Sequence, residues 1–337
     1  MTINKIINIG DKSISPTSSP FVIAEIGSNF NQDIDLAKKL IFIAAESKAD
    51  AVKFQLFDSK TLYPDGGDMY KIFKSIELNP KWIKELKSTA EDLGLIFMAS
   101  CFDFKSVDVM EEAGVVAHKI ASSEATNLDL VAYIASTQKP IFLSTGMCDS
   151  VDVQEAINAC LNFGNDQICL LQCTAQYPLK IEDANLQVIS TFKSIYNCNV
   201  GFSDHSLSNI QAVAAIGLGA NIFEKHITLD KSSSGPDHFY ALEPNQLKLY
   251  IDEIHEAFES LGSGIKKMSD SEKKEGRRDG LYYSDDFLKG DSLSQAKVII
   301  KRPALDIRSR YLGMITKAKL KHNVFKDDPI KWEDLEF

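Results

Sequence analysis

Between residues 21 and 262 the chain repeats one unit eight times: a short apolar run, a polar or glycine-bearing turn, then a segment of helical period. The apolar runs lie at 21–27, 51–56, 95–100, 117–122, 140–146, 168–174, 199–205 and 222–228. Helical segments such as DIDLAKKLIFIAAES and SVDVQEAINACLNFG separate them, and LEPNQLKLYIDEIHEAFESLG follows the last. Several open on Asp, Asn or Ser and close near Gly, as helix caps require. Strands alternating with helices make a parallel sheet, and eight units suit a closed barrel better than an open sheet. Neither GxGxxG nor GxxxxGK[ST] occurs, so the usual nucleotide fingerprints of an open sheet are missing. The expectation is an α/β chain whose residues 1–264 form a (β/α)8 TIM barrel.

The pattern does not cover the ends. Residues 1–20 read as a short β-like arm and a Ser/Pro-rich loop. After residue 264 the chain turns polar and charged, and 265–280 reads as a linker. Residues 281–337 carry short β-like runs (GLYYSDDFLKG, AKVIIKRPAL, LGMITKAKLK) and read as a small, mostly-β domain. So small a domain is expected to pack on the barrel or on a partner subunit.

A formal charge of −10 argues against nucleic acid or an anionic membrane as partner. It leaves room for an anionic substrate, because a few lysines can dominate the potential inside a cleft. The six cysteines form no CxxC pair, and several sit in apolar runs, which points to buried thiols and a cytoplasmic location. There is no signal-peptide pattern, and no apolar run approaches the roughly 20 residues that span a bilayer.

In a barrel the chemistry sits at the carboxyl ends of the strands. Those ends, with the turns just beyond them, supply Glu25, Lys53, Gln55, Ser100, Lys119, Ser122, Glu124, Ser144, Cys173, Thr174, Tyr177, Ser203, Asp204, His205, Glu224 and His226. A barrel interior ordinarily holds Val, Ile and Leu, and polar groups buried without partners are costly. Their convergence on one rim marks a site. His205 and His226 fall at equivalent depth on adjacent strands. Two neutral imidazoles with carboxylate or water ligands suit Mn²⁺, Zn²⁺ or Fe²⁺ better than Ca²⁺. His118 reads as scaffold; His238, His255 and His322 read as surface. Lys53 and Lys119, with Ser100, Ser122, Ser144 and Ser203, favour a phosphate or carboxylate ligand. Asp237, in the loop SSSGPDHFYALEP, reads either as a turn carboxylate or as a contact to a hydroxylated substrate.

The segments FVIAEIGSNFN, AVKFQ, HKIASSE, IFLSTGM, LLQCTAQYPLKIEDANL, VGFSDHS, IFEKHITLD and GPDHFYALEP resemble the sialic acid synthase family. That family includes N-acetylneuraminate, legionaminate and pseudaminate synthases. The segment with KRPALDI resembles its antifreeze-like (SAF, β-clip) domain. The resemblance implies condensation of phosphoenolpyruvate with an open-chain N-acylated hexosamine, giving a nine-carbon 2-keto-3-deoxy acid and phosphate. It implies Mn²⁺ or Mg²⁺ on His205 and His226, and phosphoenolpyruvate on Lys53, Lys119, Ser100, Ser122, Ser144 and Ser203. Glu25 is the leading proton-transfer candidate. Glu124 is a second catalytic candidate and, with Gln55, Tyr177 and Asp237, matches positions near the sugar. Arg302 matches an arginine inserted into the partner's site, which implies a domain-swapped homodimer.

The chain departs from the family pattern at NFNQ (Phe30 and Gln32 for His and Gly), Ser100-Cys101-Phe102, Ala175 and RRDG. These departures bear on the choice of sugar. Alternative readings are a synthase acting on a phosphorylated aldose, a metal-dependent aldolase or hydrolase, and a non-catalytic sugar-binding scaffold.

Overall fold

The computed structural model describes residues 2–63 and 66–337. It divides into two units, Met1–Gly262 and Ser263–Phe337. In the first, strands β1 (Ile7–Ile9) and β2 (Lys12–Ile14) form a hairpin, and eight parallel strands then close a barrel. These are β3 (Phe21–Gly27), β4 (Ala51–Leu56), β5 (Ile96–Cys101), β6 (His118–Ile120), β7 (Ile141–Ser144), β8 (Ile168–Cys173), β9 (Asn199–Asp204) and β10 (Ile222–His226). Each pairs with the next, and β10 closes on β3. The TIM barrel expected from the eightfold pattern is the fold observed.

The helices of the first unit are α1 (Ile34–Glu46), α2 (Ser59–Leu62), α3 (Asp68–Ile76), α4 (Ile83–Asp92), α5 (Phe104–Glu112), α6 (Leu128–Ser136), α7 (Ser150–Asn162), α8 (Gln187–Tyr196), α9 (Ile210–Gly217) and α10 (Pro244–Leu261). α1 shows why such segments form where they do. The Asp33 side chain accepts from the backbone N–H of Asp35 and Leu36, satisfying two orphan donors of the first turn. Ala37, Leu40, Ile41 and Ala44 then repeat at helical spacing and bury one face. α2 and α3 occupy a stretch to which the eightfold pattern assigns no element.

Side-chain alternation along the strands sorts the barrel by height. Its amino-terminal half holds an apolar plug of Phe21, Ile23, Ala51, Met98, Phe142, Cys169 and Leu171, onto which the hairpin residues Ile7, Ile9 and Ile14 pack. One or two steps further along each strand the inward positions become polar. The barrel is therefore sealed with hydrocarbon at one mouth and carries its ionisable groups at the other.

The division between units falls just before the boundary expected at 264. The stretch expected as a linker carries α11 (Asp270–Glu275), capped by a reciprocal Ser269/Glu272 box, and Gly280 already belongs to β11. The second unit pairs β11 (Gly280–Tyr283) with β12 (Val298–Lys301), and β13 (Lys319–Leu320) with β14 (Leu335–Glu336), all antiparallel. A single turn, α12 (Leu312–Ile315), completes it. It has its own core, including Leu281, Tyr283, Ile307, Ile315, Leu320, Ile330 and Leu335. Regular strand is short here, and much of the chain runs as loops and helical turns.

Candidate active site

A cavity of about 340 Å³ opens at the carboxyl ends of the strands. Its floor is set by register. Glu25 of β3 stands beside Lys53 of β4, and Ser100 of β5 beside Lys119 of β6. Lys53 Nζ lies 2.7 Å from Glu25 Oε2 and 3.8 Å from Glu224 Oε1, and donates to Ser100 Oγ at 3.0 Å. Lys119 Nζ lies 3.9 Å from Glu224 Oε2 and donates to the Ile120 carbonyl at 3.0 Å. Gln55 Nε2 donates to Glu25 Oε1 at 3.1 Å, and the Ser144 and Ser203 hydroxyls meet at 2.7 Å.

Gln55 apart, these groups are almost wholly buried, and burial acts on them unequally. It raises the Glu25 carboxyl to about 7, with the charge of Glu224 adding to the effect and Lys53 opposing it. Burial also disfavours charge on Glu224, but Lys119 and Lys53 hold that carboxyl below its ordinary value. Two carboxyls sharing one lysine thus separate into a group poised near neutrality and a firm carboxylate. Burial lowers Lys119, whereas on Lys53 it is outweighed by Glu224 and Glu25 and the pKa rises. Two ammonium groups with serine hydroxyls around them form a receptor for a small anion.

Beside this floor the rings of His205 and His226 lie 5.6 Å apart. Burial lowers both, His226 to about 3, so both imidazoles are neutral at physiological pH. His205 Nδ1 lies 3.0 Å from the Thr174 carbonyl and donates to it, which leaves the Nε2 lone pair free. His226 Nδ1 is buried with no hydrogen-bond partner. Tyr177 packs on His205 with ring centroids 4.2 Å apart, and Tyr240 meets His226 edge-on at 5.1 Å. Asp237 is held by Tyr240 Oη at 2.8 Å and Ser28 Oγ at 2.9 Å, so it is a fixed wall of the cavity rather than a free turn carboxylate. Gly27 permits this approach. Its φ is +55°, and a Cβ there would stand 3.1 Å from Asp237 Oδ2.

Glu25, Lys53, Gln55, Ser100, Lys119, Ser122, Ser144, Tyr177, Ser203, His205, His226 and Asp237 all line this one cavity. Glu124 does not. The chain turns after β6, the Glu124 N–H bonds back to the Ala121 carbonyl, and the side chain is only partly buried outside the lining. Arg302 belongs to the second unit, where Nε donates to Asp279 Oδ1 at 2.7 Å and the side chain is exposed. His238 is buried rather than at the surface: it bonds Thr228 Oγ1 at 2.7 Å and Asn31 Oδ1 at 3.0 Å, tying down the loop after β10. Phe30 packs in the core against Phe54 and Trp82, away from the cavity. Glu224 was legible as a strand end but carried no role. Its position two residues before His226, on the same face of β10, was the available signal.

Behind the histidines lies a second buried charge pair. Lys225 Nζ lies 2.9 Å from Asp204 Oδ2, which also accepts from Tyr250 Oη of α10 at 3.2 Å. Neither residue lines the cavity; each precedes a site histidine in sequence and faces the helix layer. Lys225→Met, which leaves Asp204 an unpaired buried charge, is expected to cost about 3–5 kcal/mol. A fall in the urea midpoint would measure it, and an unchanged midpoint would show that the pair contributes nothing.

Among the described residues no group of three or more His, Cys, Asp or Glu side chains gathers to hold a metal ion. The donors present, two neutral imidazoles with one ring nitrogen held by a carbonyl and another unpartnered, fit a divalent cation whose remaining positions come from substrate and water. Among the described residues no helix is long and apolar enough to cross a membrane.

A closed parallel barrel with its ionisable groups gathered at the carboxyl rim defines a TIM-barrel protein built to do chemistry at that rim. Comparison with known proteins narrows the class. The chain belongs to the NeuB family, whose model matches residues 40–266. It is 36% identical to the N,N'-diacetyllegionaminic acid synthase of Legionella pneumophila, over 99% of each chain. It is 39% identical to the enzyme of the same name from Campylobacter jejuni, over 92% of this chain and 98% of that one. Among solved structures, the N-acetylneuraminic acid synthetase of Leptospira borgpetersenii, crystallised with citrate, superposes with a TM-score of 0.77 at 31% identity. That match covers 81% of this chain and 96% of the other.

Proposed function

We propose that the protein is a sialic-acid-type synthase that condenses phosphoenolpyruvate with an open-chain N-acylated hexosamine, giving a nine-carbon 2-keto-3-deoxy acid and phosphate. The observation that carries the reading is the juxtaposition, in one cavity, of a two-lysine anion receptor, two carboxyls of separated acidity and a neutral imidazole pair. The relatives named above support it.

In this reading Lys53, Lys119, Ser100, Ser122, Ser144 and Ser203 hold the phosphate and carboxylate of phosphoenolpyruvate. Gln55, Tyr177 and Asp237 face the acceptor sugar. Carbon 3 of phosphoenolpyruvate attacks the aldehyde carbon, and positive charge develops at carbon 2. Glu224, a carboxylate without a hydrogen bond to its buried Oε2, offsets that charge. Glu25 gives its proton to the aldehyde oxygen as the new C–C bond forms. It takes one back from the water that adds at carbon 2, and phosphate then leaves by C–O cleavage, carrying off the proton of the new carbon-2 hydroxyl as the ketone forms. A divalent cation on His205 and His226, Mn²⁺ or Mg²⁺, would supply Lewis acidity toward the aldehyde oxygen. Arg302 is proposed to reach the acceptor in the cavity of a partner subunit, which makes a homodimer the working form. We place the reaction in the cytoplasm, where phosphoenolpyruvate is made.

The test is phosphate release from phosphoenolpyruvate with Mn²⁺ against N-acetylmannosamine, a 2,4-diacetamido-2,4,6-trideoxyhexose and arabinose 5-phosphate. Release that depends on an acylated sugar and is abolished by EDTA is expected. Release only with the phosphorylated pentose would overturn the reading in favour of a phosphorylated-aldose synthase.

A further inference from the structure

Helix α3 carries Met69, Ile72, Phe73 and Ile76 at i, i+3, i+4 and i+7, a single apolar stripe. Such a stripe ordinarily disappears into a core. Here no residue of the helix is buried, Met69 and Ile72 are 47% and 46% exposed, and all four side chains line the cavity. The stripe is anchored. Phe73 packs on Phe57 and Tyr63 with centroids 5.4 and 4.7 Å away, and Phe57 packs in turn on Phe102, another lining residue, at 5.6 Å.

Exposure orders the cavity by depth. The charged floor is buried, and the α3 stripe stands at the mouth. Lys53 and Lys119 are the lysines among the described lining residues; no arginine is among them, and both lysines belong to the floor. A ligand filling this cavity meets charge at its inner end and, on the α3 side of the mouth, hydrocarbon. The proposed reaction sets the acceptor's aldehyde at the floor, so the sugar's far carbon points to the mouth, where α3 stands.

We infer that α3 is a specificity wall that receives the terminal carbon of the acceptor and selects a methyl-ended sugar over one ending in hydroxymethyl or phosphate. This rests on the proposed condensation for the direction in which the sugar lies. A hydroxyl against this wall loses water without gaining a hydrogen-bond partner from the stripe, and a phosphate there meets no lysine or arginine among the described lining residues outside the floor. Hydrophobic contacts of this size discriminate by factors of about 10 to 200.

The experiment compares kcat/KM for two acceptors that differ only at the terminal carbon, a 2,4-diacetamido-2,4,6-trideoxyhexose and its 6-hydroxy counterpart, with the 6-phosphate as a third. The wild type is expected to favour the methyl-ended sugar by about 10-fold or more. Ile72→Ser is expected to bring that ratio toward one by raising KM for the methyl-ended sugar, with KM for phosphoenolpyruvate unchanged. Ile72→Val should retain it. Because Ile72 packs in no core, neither change threatens the fold. A preference for the hydroxymethyl or phosphate sugar, or a ratio indifferent to Ile72→Ser and Met69→Thr, would overturn the wall while leaving the condensation standing. Phosphate release with none of the acceptors would instead sink the condensation. Calorimetric binding of the methyl-ended sugar then decides the wall: weakening by Ile72→Ser keeps it, and unaltered binding removes it.

Discussion

Glu25→Gln is expected to lower kcat by about 10²- to 10⁴-fold, the usual contribution of a positioned acid–base group, with KM for phosphoenolpyruvate little changed. The amide has the size of the carboxyl and can keep the contact with Gln55, but it cannot exchange a proton. In the wild type, burial raises Glu25 to about 7, so kcat should follow an ionisation near neutrality that the variant lacks. Stability should respond in a definite direction too. A carboxyl raised above its ordinary 4.5 binds more protons folded than unfolded. It therefore contributes stability that is fully present below 4.5 and is lost as pH rises through about 7. Glu25→Gln should flatten that part of the stability profile. A variant that keeps most of the wild-type kcat with the same pH dependence would remove Glu25 from proton transfer.

His226→Ala is expected to abolish turnover and to lower affinity for Mn²⁺ by at least about 10²-fold, since even groups outside a metal's own ligands are worth 10- to 100-fold. The argument is electrostatic as well as geometric. Burial lowers His226 to about 3, so its lone pair is free for a cation across the physiological range. His205 is committed differently, its Nδ1 spent on the Thr174 carbonyl. Removing His226 leaves a single imidazole and no third His, Cys, Asp or Glu grouped to replace it among the described residues. Metal content measured on purified protein checks this without reference to activity. Normal metal content in the variant would relocate the cation.

The architecture was legible because it is periodic. Eight apolar runs, each long enough for one strand and each followed by a segment of helical period, leave a chain few ways to bury its hydrocarbon, and the strands appear within a few residues of the runs. Much of the cavity lining was legible for the same reason. Polar side chains at inward positions near strand ends have nowhere to go but the barrel rim, which is how Lys53, Lys119, His205 and His226 were singled out. The reading stopped where direction is not set by period. Glu124 lies only two residues past Ser122, yet the turn after β6 carries it out of the lining. His238 seemed to belong to a surface loop, and hydrogen bonds to Thr228 and Asn31 bury it. The apolar stripe of α3 would pass for core in any helical projection.

By itself, then, the sequence determined the barrel, the rim on which the chemistry gathers and the residue types assembled there, because each follows from spacing along one chain. Only the tertiary structure decided which carboxyl is poised near neutrality, which imidazole nitrogen is free, and that α3 turns hydrocarbon toward the cavity. Those properties depend on burial and on groups brought close from distant strands: the pKa of Glu25 is set by the desolvation of a closed barrel and by Lys53 and Glu224, which come from two other strands.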